Sequence, residues 1–290
     1  MERGLRRRDF IRLSALGAAA SASGCVLGSQ ERTEPEPVEG IVVGLDGEPI
    51  EGATVQAVLG ERGVISEDTT DGSGGFSVET DAGPVWLKAS SPGFLTRTVA
   101  TAPGSSSRVS LTPQDGTVSL CFGGDVMFGR RFYEDTEPSG YPWYRITEPG
   151  RREDYEEILS HVQPLLEAAE ITSVNLETTL TTTGWRHPSK RFVYTSHPVA
   201  AEVLSEAGVD YAALGNNHVF DALTPGLEDT LGALEASEVS YSGAGNSSEA
   251  AWEPAYFEER GIVIGMISCA TTSFAGEIFV LDWSADKDES

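Results

Sequence analysis

The sequence predicts an α/β domain preceded by a small all-β sandwich. From Gly40 to Pro113, short runs of β-branched and aromatic residues are separated by turn dipeptides such as Asp46-Gly47 and Pro92-Gly93. Strands at this spacing, without helical periodicity, are typical of a β-sandwich. From Thr117 onward, apolar runs alternate with segments of helical periodicity, which predicts βαβ crossovers and a mainly parallel sheet.

The individual elements follow from the same patterns. The near-continuous apolar run 118–122 predicts a strand buried on both faces. One helix, kinked by Pro164, is expected over 152–170. The other predicted strands are 41–43, 53–58, 76–78, 85–87, 109–111, 171–176, 210–214, 239–242 and 262–268, and the other predicted helices are 199–207 and 225–237.

The amino-acid composition excludes some classes of function. The 290 residues include 45 Asp+Glu against 20 Lys+Arg, for a net charge of −25, and the lysines are only Lys88, Lys190 and Lys287. So few cations cannot neutralise a phosphate backbone over a broad surface, which argues against nucleic-acid binding. The acidic excess with little lysine is typical of a halophile's surface.

Cys121 and Cys269 fall in strands that could be neighbours, and we expect two buried thiols rather than a disulfide.

Residues 1–25 are predicted to be an export signal rather than part of the folded protein. Arg7 and Arg8, followed by an apolar pair, resemble a twin-arginine export motif, and Cys25 ends a run of small residues that resembles a lipobox. We therefore expect export by the twin-arginine route and a lipid on Cys25 that anchors the protein at the outer face of the cytoplasmic membrane. The alternative is a basic arm before an alanine-rich helix. Residues 26–39 are predicted to be an extended acidic linker that contains proline.

Three polar clusters come at the ends of predicted strands. They are Gly123-Gly124-Asp125, Asn175-Leu176-Glu177, and Asn216-Asn217-His218 with Asp221. Because the carboxyl ends of parallel strands meet at one edge of a sheet, we expect these clusters to converge. Their oxygen and nitrogen donors suit divalent cations such as Mn²⁺, Zn²⁺, Fe²⁺ or Mg²⁺. Taken singly, each cluster is also compatible with a turn or a helix cap.

The first domain, over residues 40–113, resembles the carboxypeptidase regulatory-like, transthyretin-like domain. The resemblance rests on Asp46-Gly47-x-Pro49, on Asp71-Gly72-x-Gly74-Gly75-Phe76 and on Ser91-Pro92-Gly93-Phe94. It implies an immunoglobulin-like sandwich that acts as a spacer or interaction module rather than as a catalytic domain.

The second domain, over residues 117–290, resembles the CapA capsule-synthesis (poly-γ-glutamate biosynthesis) family. Three blocks carry the resemblance: FGGDVMFGR from Phe122, VNLETTL from Val174 and LGNNHVFD from Leu214. The family is similar in fold to calcineurin-like metallophosphoesterases, whose sites hold two metal ions.

The resemblance also implies roles for single residues. Asp125 would be a metal ligand, Glu177 a metal-bridging carboxylate and Asn217 a further ligand. His218 would be the catalytic residue that contacts a phosphoryl group or another oxyanion. Asn216 and Asp221 are the remaining candidates for this site.

Two departures from the phosphoesterase pattern leave the activity open. Asp125-Val126-Met127 replaces Asp-x-His, and no histidine follows His218. His187 and His197 are expected at the surface. The α/β domain is therefore expected to be an incomplete, N-terminal part of the family fold that is not by itself a competent phosphoesterase.

The sequence is compatible with two functions. The first is a lipid-anchored surface protein that makes or handles an anionic polymer or a phosphate-bearing substrate, with divalent metal and with capsule-synthesis partner proteins. The alternative is a non-catalytic surface binding protein that retains only the shape of the family. The metal content of the protein would distinguish them.

Overall fold

The computed structural model describes residues 36–80, 83–129, 132, 146–147 and 150–270. The predicted export signal with Arg7, Arg8 and Cys25, most of the linker, and residues 271–290 lie outside this part of the chain. Among the described helices, none combines the length and the apolar character needed to cross a membrane.

The first domain is a sandwich of two sheets, as the sequence predicts. One sheet has the strand order β4-β1-β7 and the other has the order β3-β2-β5-β6; all pairs are antiparallel except β1 with β7. The strands are β1 (Val38–Val43), β2 (Thr54–Val58), β3 (Val64–Thr69), β4 (Gly75–Val78), β5 (Val85–Ser90), β6 (Arg97–Thr101) and β7 (Ser106–Ser110), with a short 3-10 helix at Gly60–Arg62.

Alternation along the strands builds the core of the sandwich. In β5, every second residue from Val85 is buried, and Leu87 is completely buried with Val42, Val55 and Leu111 from other parts of the domain. This period of two places one face of each sheet in the core. Strands β3 and β6 were not predicted; they lie at the two edges of their sheet, where fewer side chains need to be apolar.

The second domain contains the predicted parallel sheet. Its strand order is β13-β12-β9-β8, and every pair is parallel. The strands of the sheet are β8 (Leu120–Val126), β9 (Ile171–Leu176), β12 (Tyr211–Ala213) and β13 (Ser240–Ser242). The helices are α1 (Arg152–Ser160), α2 (Gln163–Leu166), α3 (Val199–Glu206), α4 (Leu223–Ala236) and α5 (Ser248–Ala251).

The prediction that 118–122 forms a strand buried on both faces is wrong. Among the described strands, β8 is at the edge of the sheet and pairs with β9, and the side chain of Phe122 is 69% exposed. The strand that is buried on both faces is β9, in which five of six residues are buried. An apolar run indicates a strand, but it does not indicate how many neighbours that strand has.

The prediction of one kinked helix over 152–170 is also wrong. Helix α1 ends at Ser160, and α2 begins at Gln163 with Pro164 in its first turn. Proline is tolerated there because the first N–H groups of a helix have no partner within it. Pro164 therefore starts a new helix and does not bend an existing one.

The last predicted strand belongs to a separate hairpin. Strands β14 (Ala255–Glu259) and β15 (Ile262–Met266) form an antiparallel pair outside the parallel sheet. Cys269 follows β15 and is exposed, whereas Cys121 lies half-buried on β8. Both thiols are free, as predicted, but the expectation that they are buried on adjacent strands is wrong because β15 does not join the sheet.

Candidate functional site

The polar clusters meet at the carboxyl ends of three neighbouring strands, as predicted. Asp125 of β8 lies in register with Asn175 of β9, whose Nδ2 donates a hydrogen bond of 2.8 Å to Asp125 Oδ1. Asn216, which follows β12, donates from its own Nδ2 to Asn175 Oδ1 at 3.0 Å. A chain of side-chain hydrogen bonds thus links the three strands at this edge.

Asn216 holds the turn that carries His218. Its Nδ2 donates to the carbonyl oxygen of Leu176 at 2.9 Å, and its Oδ1 accepts a hydrogen bond from the backbone N–H of His218 at 2.9 Å. The side chain is buried, so both of its polar ends need partners. Asn216 is therefore a positioning residue for the imidazole.

The turn before His218 is also held by close packing of Gly215 against neighbouring backbone. A Cβ atom on Gly243 would lie 2.4 Å from the backbone nitrogen of Gly215, and Gly243 adopts a φ of +95°. A Cβ on Gly215 would lie 2.6 Å from Ser268 Oγ, which accepts a hydrogen bond from the Gly215 N–H at 2.9 Å. Side chains at either position would push the turn away from the chain that follows β15.

Glu177 and Asp125 form a pair of interacting carboxyl groups. The pKa of Glu177 is raised above its ordinary value, first because the group is partly buried and next because the Asp125 carboxylate lies beside it. A hydrogen bond with Asp125 raises the pKa of Glu177 further, whereas the neighbouring His218 lowers it. The pair therefore favours a shared proton or a neutralising cation.

His218 is oriented by Asp221. Its Nδ1 lies 2.7 Å from Asp221 Oδ2, and the Asp221 side chain is completely buried. Because an ionised carboxylate only accepts hydrogen bonds, Nδ1 carries the hydrogen and Nε2 is left for a ligand. Lys190 Nζ lies 2.5 Å from the other carboxylate oxygen, so the buried negative charge has a cationic partner.

The loop 181–194 packs over this arrangement. The Tyr194 ring stacks on the His218 ring with centroids 3.9 Å apart and planes inclined by 17°. Asp221 Oδ2 accepts from the Tyr194 N–H at 2.5 Å, and the Asp221 carbonyl oxygen accepts from the His187 N–H at 2.8 Å. Asp221 therefore anchors the loop as well as the imidazole.

The ends of this loop are joined to each other. Strands β10 (Thr179–Leu180) and β11 (Thr195–Ser196) form a short parallel pair. The Thr179 N–H donates to the Tyr194 carbonyl oxygen at 3.0 Å, and the Thr181 N–H donates to the Ser196 carbonyl oxygen at 2.8 Å. The loop is thus closed at its base beside the strand ends.

Sequence reasoning missed Lys190 and Tyr194. Each lies more than 20 residues before Asp221 in the chain, and no motif marks either of them. The scarcity of lysine was the one available signal, since a charged residue retained at an unusual place often has a buried partner. His187 and His197, expected at the surface, are half-buried, and the Nδ1 of each accepts from a backbone N–H two residues later.

The predicted metal ligands are brought only partly together. Asp125 and Glu177 interact directly, whereas Asn217 takes part through its backbone carbonyl oxygen, which accepts a hydrogen bond from Lys190 Nζ. Within the residues that the structure describes, no group of three or more His, Cys, Asp or Glu side chains is arranged to hold a metal ion. The metal-ligating roles stay predictions.

Comparison with known families decides where the second domain belongs. The family described as "Bacterial capsule synthesis protein PGA_cap" matches residues 119–288, which is more than half of the chain. The chain belongs to this family. The match confirms the resemblance to CapA proteins, and a second match, "Carboxypeptidase regulatory-like domain" over residues 37–114, confirms the assignment of the sandwich.

Curated PGA_cap relatives are similar at modest identity. A protein of Mycobacterium tuberculosis named as a probable polyglutamine synthesis accessory protein is 28% identical over 193 residues, covering 59% of this chain and 50% of the relative. The "PGA biosynthesis protein CapA" of Bacillus subtilis is 25% identical over 167 residues, covering 57% of this chain and 40% of the relative. The chain thus spans at most about half the length of these relatives.

Several solved structures are similar to short parts of the chain. The 5-hydroxyisourate hydrolase of Klebsiella pneumoniae is 16% identical, with a TM-score of 0.23, and covers 27% of this chain and 85% of its own. A likeness at this level carries no argument about the function of the PGA_cap chain.

The buried charge of Asp221 provides a direct test of the site's architecture. Asp221→Asn removes the buried carboxylate that pairs with Lys190 and holds His218, and we expect the free energy of unfolding to fall by about 3–5 kcal/mol. Chemical denaturation followed by circular dichroism measures the change. The matched control is Asp115→Asn, the same replacement at an exposed turn residue, which should change stability by less than about 0.5 kcal/mol. Equal stability of the two variants would contradict the arrangement.

Proposed function

We propose that this chain acts at the cell surface in the biosynthesis of an anionic capsular polymer of the poly-γ-glutamate type. Membership of the PGA_cap family supports the proposal, as do the printed names of its relatives in Mycobacterium tuberculosis and Bacillus subtilis. Because the chain spans half of those relatives or less, the reaction that it performs is inferred from its own site.

One observation carries the proposal: an imidazole of fixed orientation lies beside a pair of carboxyl groups at the carboxyl edge of the sheet. His218 Nε2 is left to exchange a proton with a substrate, because Nδ1 is held by Asp221. The raised pKa of Glu177 means that this carboxyl group holds a proton more readily than an ordinary glutamate when no cation neutralises the pair. Such a site suits acyl or phosphoryl transfer, in which a proton moves to or from an oxygen or a leaving group.

The carboxyl groups in the described part of the site suit one hard divalent cation. Mg²⁺ and Mn²⁺ are commonly bound by one or two carboxylates with water in the remaining positions, and the Asp125–Glu177 pair offers two carboxylates that repel each other. A bound ion would polarise a substrate oxygen. Asn217 would add an amide oxygen, and the residues described here do not supply the further side chains of a two-ion site.

The competing function is a non-catalytic surface protein, favoured by the shortage of His, Cys, Asp and Glu ligands around the described site. In that case the α/β domain would bind a partner or the polymer without transforming it. Metal binding separates the two functions.

We expect titration of the purified chain with Mn²⁺ in a calorimeter to give about one ion per chain. Glu177→Gln removes one of the two carboxylates and should weaken binding by roughly tenfold or more. Glu258→Gln, at an exposed position on β14, is the control with the same loss of charge and should leave affinity within about twofold. Binding that is absent, or equal in the two variants, would favour the non-catalytic function.

The role of His218 is tested in cells of the source organism that lack the gene. Complementation with the His218→Ala variant should lower the amount of surface polymer about tenfold or more relative to the unaltered chain, because the proton-transfer group is lost. His161→Ala, at an exposed residue after α1, should complement fully when both variants are expressed equally. Full polymer production with His218→Ala would argue against catalysis at this site.

We also propose that the chain is exported by the twin-arginine route and held at the membrane by a lipid on Cys25, where capsule-synthesis partner proteins would meet it. The order of arginine pair, small-residue run and cysteine in residues 1–25 supports this. The acidic composition suits an exterior of concentrated salt, where screening weakens the repulsion between carboxylates.

Cell fractionation tests the anchoring. Cys25→Ser should release the exported protein from the membrane fraction, because a chain with a net charge of −25 has little attraction to anionic lipid. Replacing Arg7 and Arg8 by lysine should instead leave the chain in the cytoplasm. The controls are Cys121→Ser and the pair Arg3→Lys and Arg12→Lys. Retention of the Cys25→Ser protein in the membrane would refute lipid anchoring.

A further inference from the structure

The structure points to the loop 181–194 as the surface that binds the polymer, with Arg186 and Arg191 contacting successive carboxylates of a polyanion. This inference rests on the proposed function in polymer biosynthesis, and it assigns the recognition of the polymer to residues outside the acid–base groups of the site.

Acidic residues are distributed unevenly along the chain. The chain has 45 Asp+Glu, yet no acidic residue occurs between Glu177 and Glu202. Three of the 20 Lys+Arg residues, Arg186, Lys190 and Arg191, fall within the same interval. Most of the protein surface repels a polyanion, so this interval is where such a ligand meets a favourable potential.

The charges of Arg186 and Arg191 are available to a ligand. Arg186 and Arg191 are exposed, and neither forms an ion pair with any carboxylate in the described part of the chain. The guanidinium of Arg191 lies 5.2 Å from the centre of the Phe192 ring, so the cation and the aromatic side chain are neighbours on the loop. Guanidinium groups bind carboxylates in a two-pronged geometry, so each arginine suits one carboxylate of the ligand.

Two aromatic side chains are exposed on the same loop as the two arginines. The side chain of Trp185 is 58% exposed and that of Phe192 is 44% exposed. Large apolar side chains exposed together on one loop are typical of a binding surface. A polyamide with methylene groups between its carboxylates packs on such rings while its charges reach the arginines.

The loop is anchored to the site through Asp221. Arg186 precedes His187, whose N–H donates to the Asp221 carbonyl oxygen, and Arg191 follows Lys190, whose Nζ pairs with the Asp221 carboxylate. Adjacent Cα atoms are about 3.8 Å apart, so each arginine is one residue from a fixed point of the site. The loop that carries both arginines is therefore attached to Asp221, the residue that also orients His218.

The ligand that suits this loop is a polymer of carboxylates and not a single phosphate. Two exposed arginines that are five positions apart in the chain can each take one group of a repeating ligand, and the second contact gains from the first because both groups belong to one molecule.

The experiment measures binding of fluorescently labelled poly-γ-glutamate to the purified full-length chain by anisotropy. The double variant Arg186→Gln and Arg191→Gln should weaken binding at least about tenfold, and each single variant should weaken it about threefold to fivefold. The matched control is Arg97→Gln with Arg108→Gln, two exposed arginines of the sandwich that carry the same charge; it should change the affinity less than about twofold. Equal melting temperatures verify that the variants are folded.

Three outcomes would overturn the inference: no binding by the unaltered chain, equal binding by the loop and sandwich variants, or competition by polyphosphate as strong as by unlabelled poly-γ-glutamate. The last outcome would indicate a site for phosphate chains. The proposed function has a separate readout in the complementation by His218→Ala. Loss of polymer in that assay together with unaltered binding by the loop variants would leave the function standing and refute the loop as its recognition surface.

Discussion

The site depends on the burial of one negative charge. Asp221 is fully buried, and its carboxylate contacts Lys190 through one oxygen and His218 through the other. A buried carboxylate is stable only if its partners are also held in place, and here both partners are. The Tyr194 N–H contacts the same carboxylate. One charge thus determines the orientation of the imidazole, the position of the loop and the placement of the only lysine in the α/β domain that the structure describes.

The sheet supplies the second constraint, since it decides which side chains are able to meet. Parallel strands β8, β9 and β12 end at one edge, so residues about 40 to 50 positions apart in sequence become hydrogen-bonded neighbours. Asn175 is central because it donates to Asp125 and accepts from Asn216. Glycines behind the turn allow this approach, as Gly215 and Gly243 show by leaving no room for a Cβ atom.

Much of this fold was predictable because its signals are local. The alternation of β5 and the apolar run of β9 directly reflect one buried face or two. The edge position of β8 was not predictable, because exposure of Phe122 depends on which strands pair with it. The same limit applies to the site: Asp125, Glu177 and His218 follow from strand ends, whereas Lys190 and Tyr194 reach Asp221 across a loop whose path no short sequence pattern specifies.

Closure of the loop at its base has an evolutionary consequence. The strand pair β10 and β11 joins the two ends of the loop, so the segment between them spans a fixed gap whatever its length or composition. Lengthening a loop whose ends are already held costs little additional entropy. Mutation and insertion near Gly184 can therefore diversify the outer surface of the loop while the strand ends and Asp221 stay as they are, and related proteins can acquire different ligands without rebuilding the sheet.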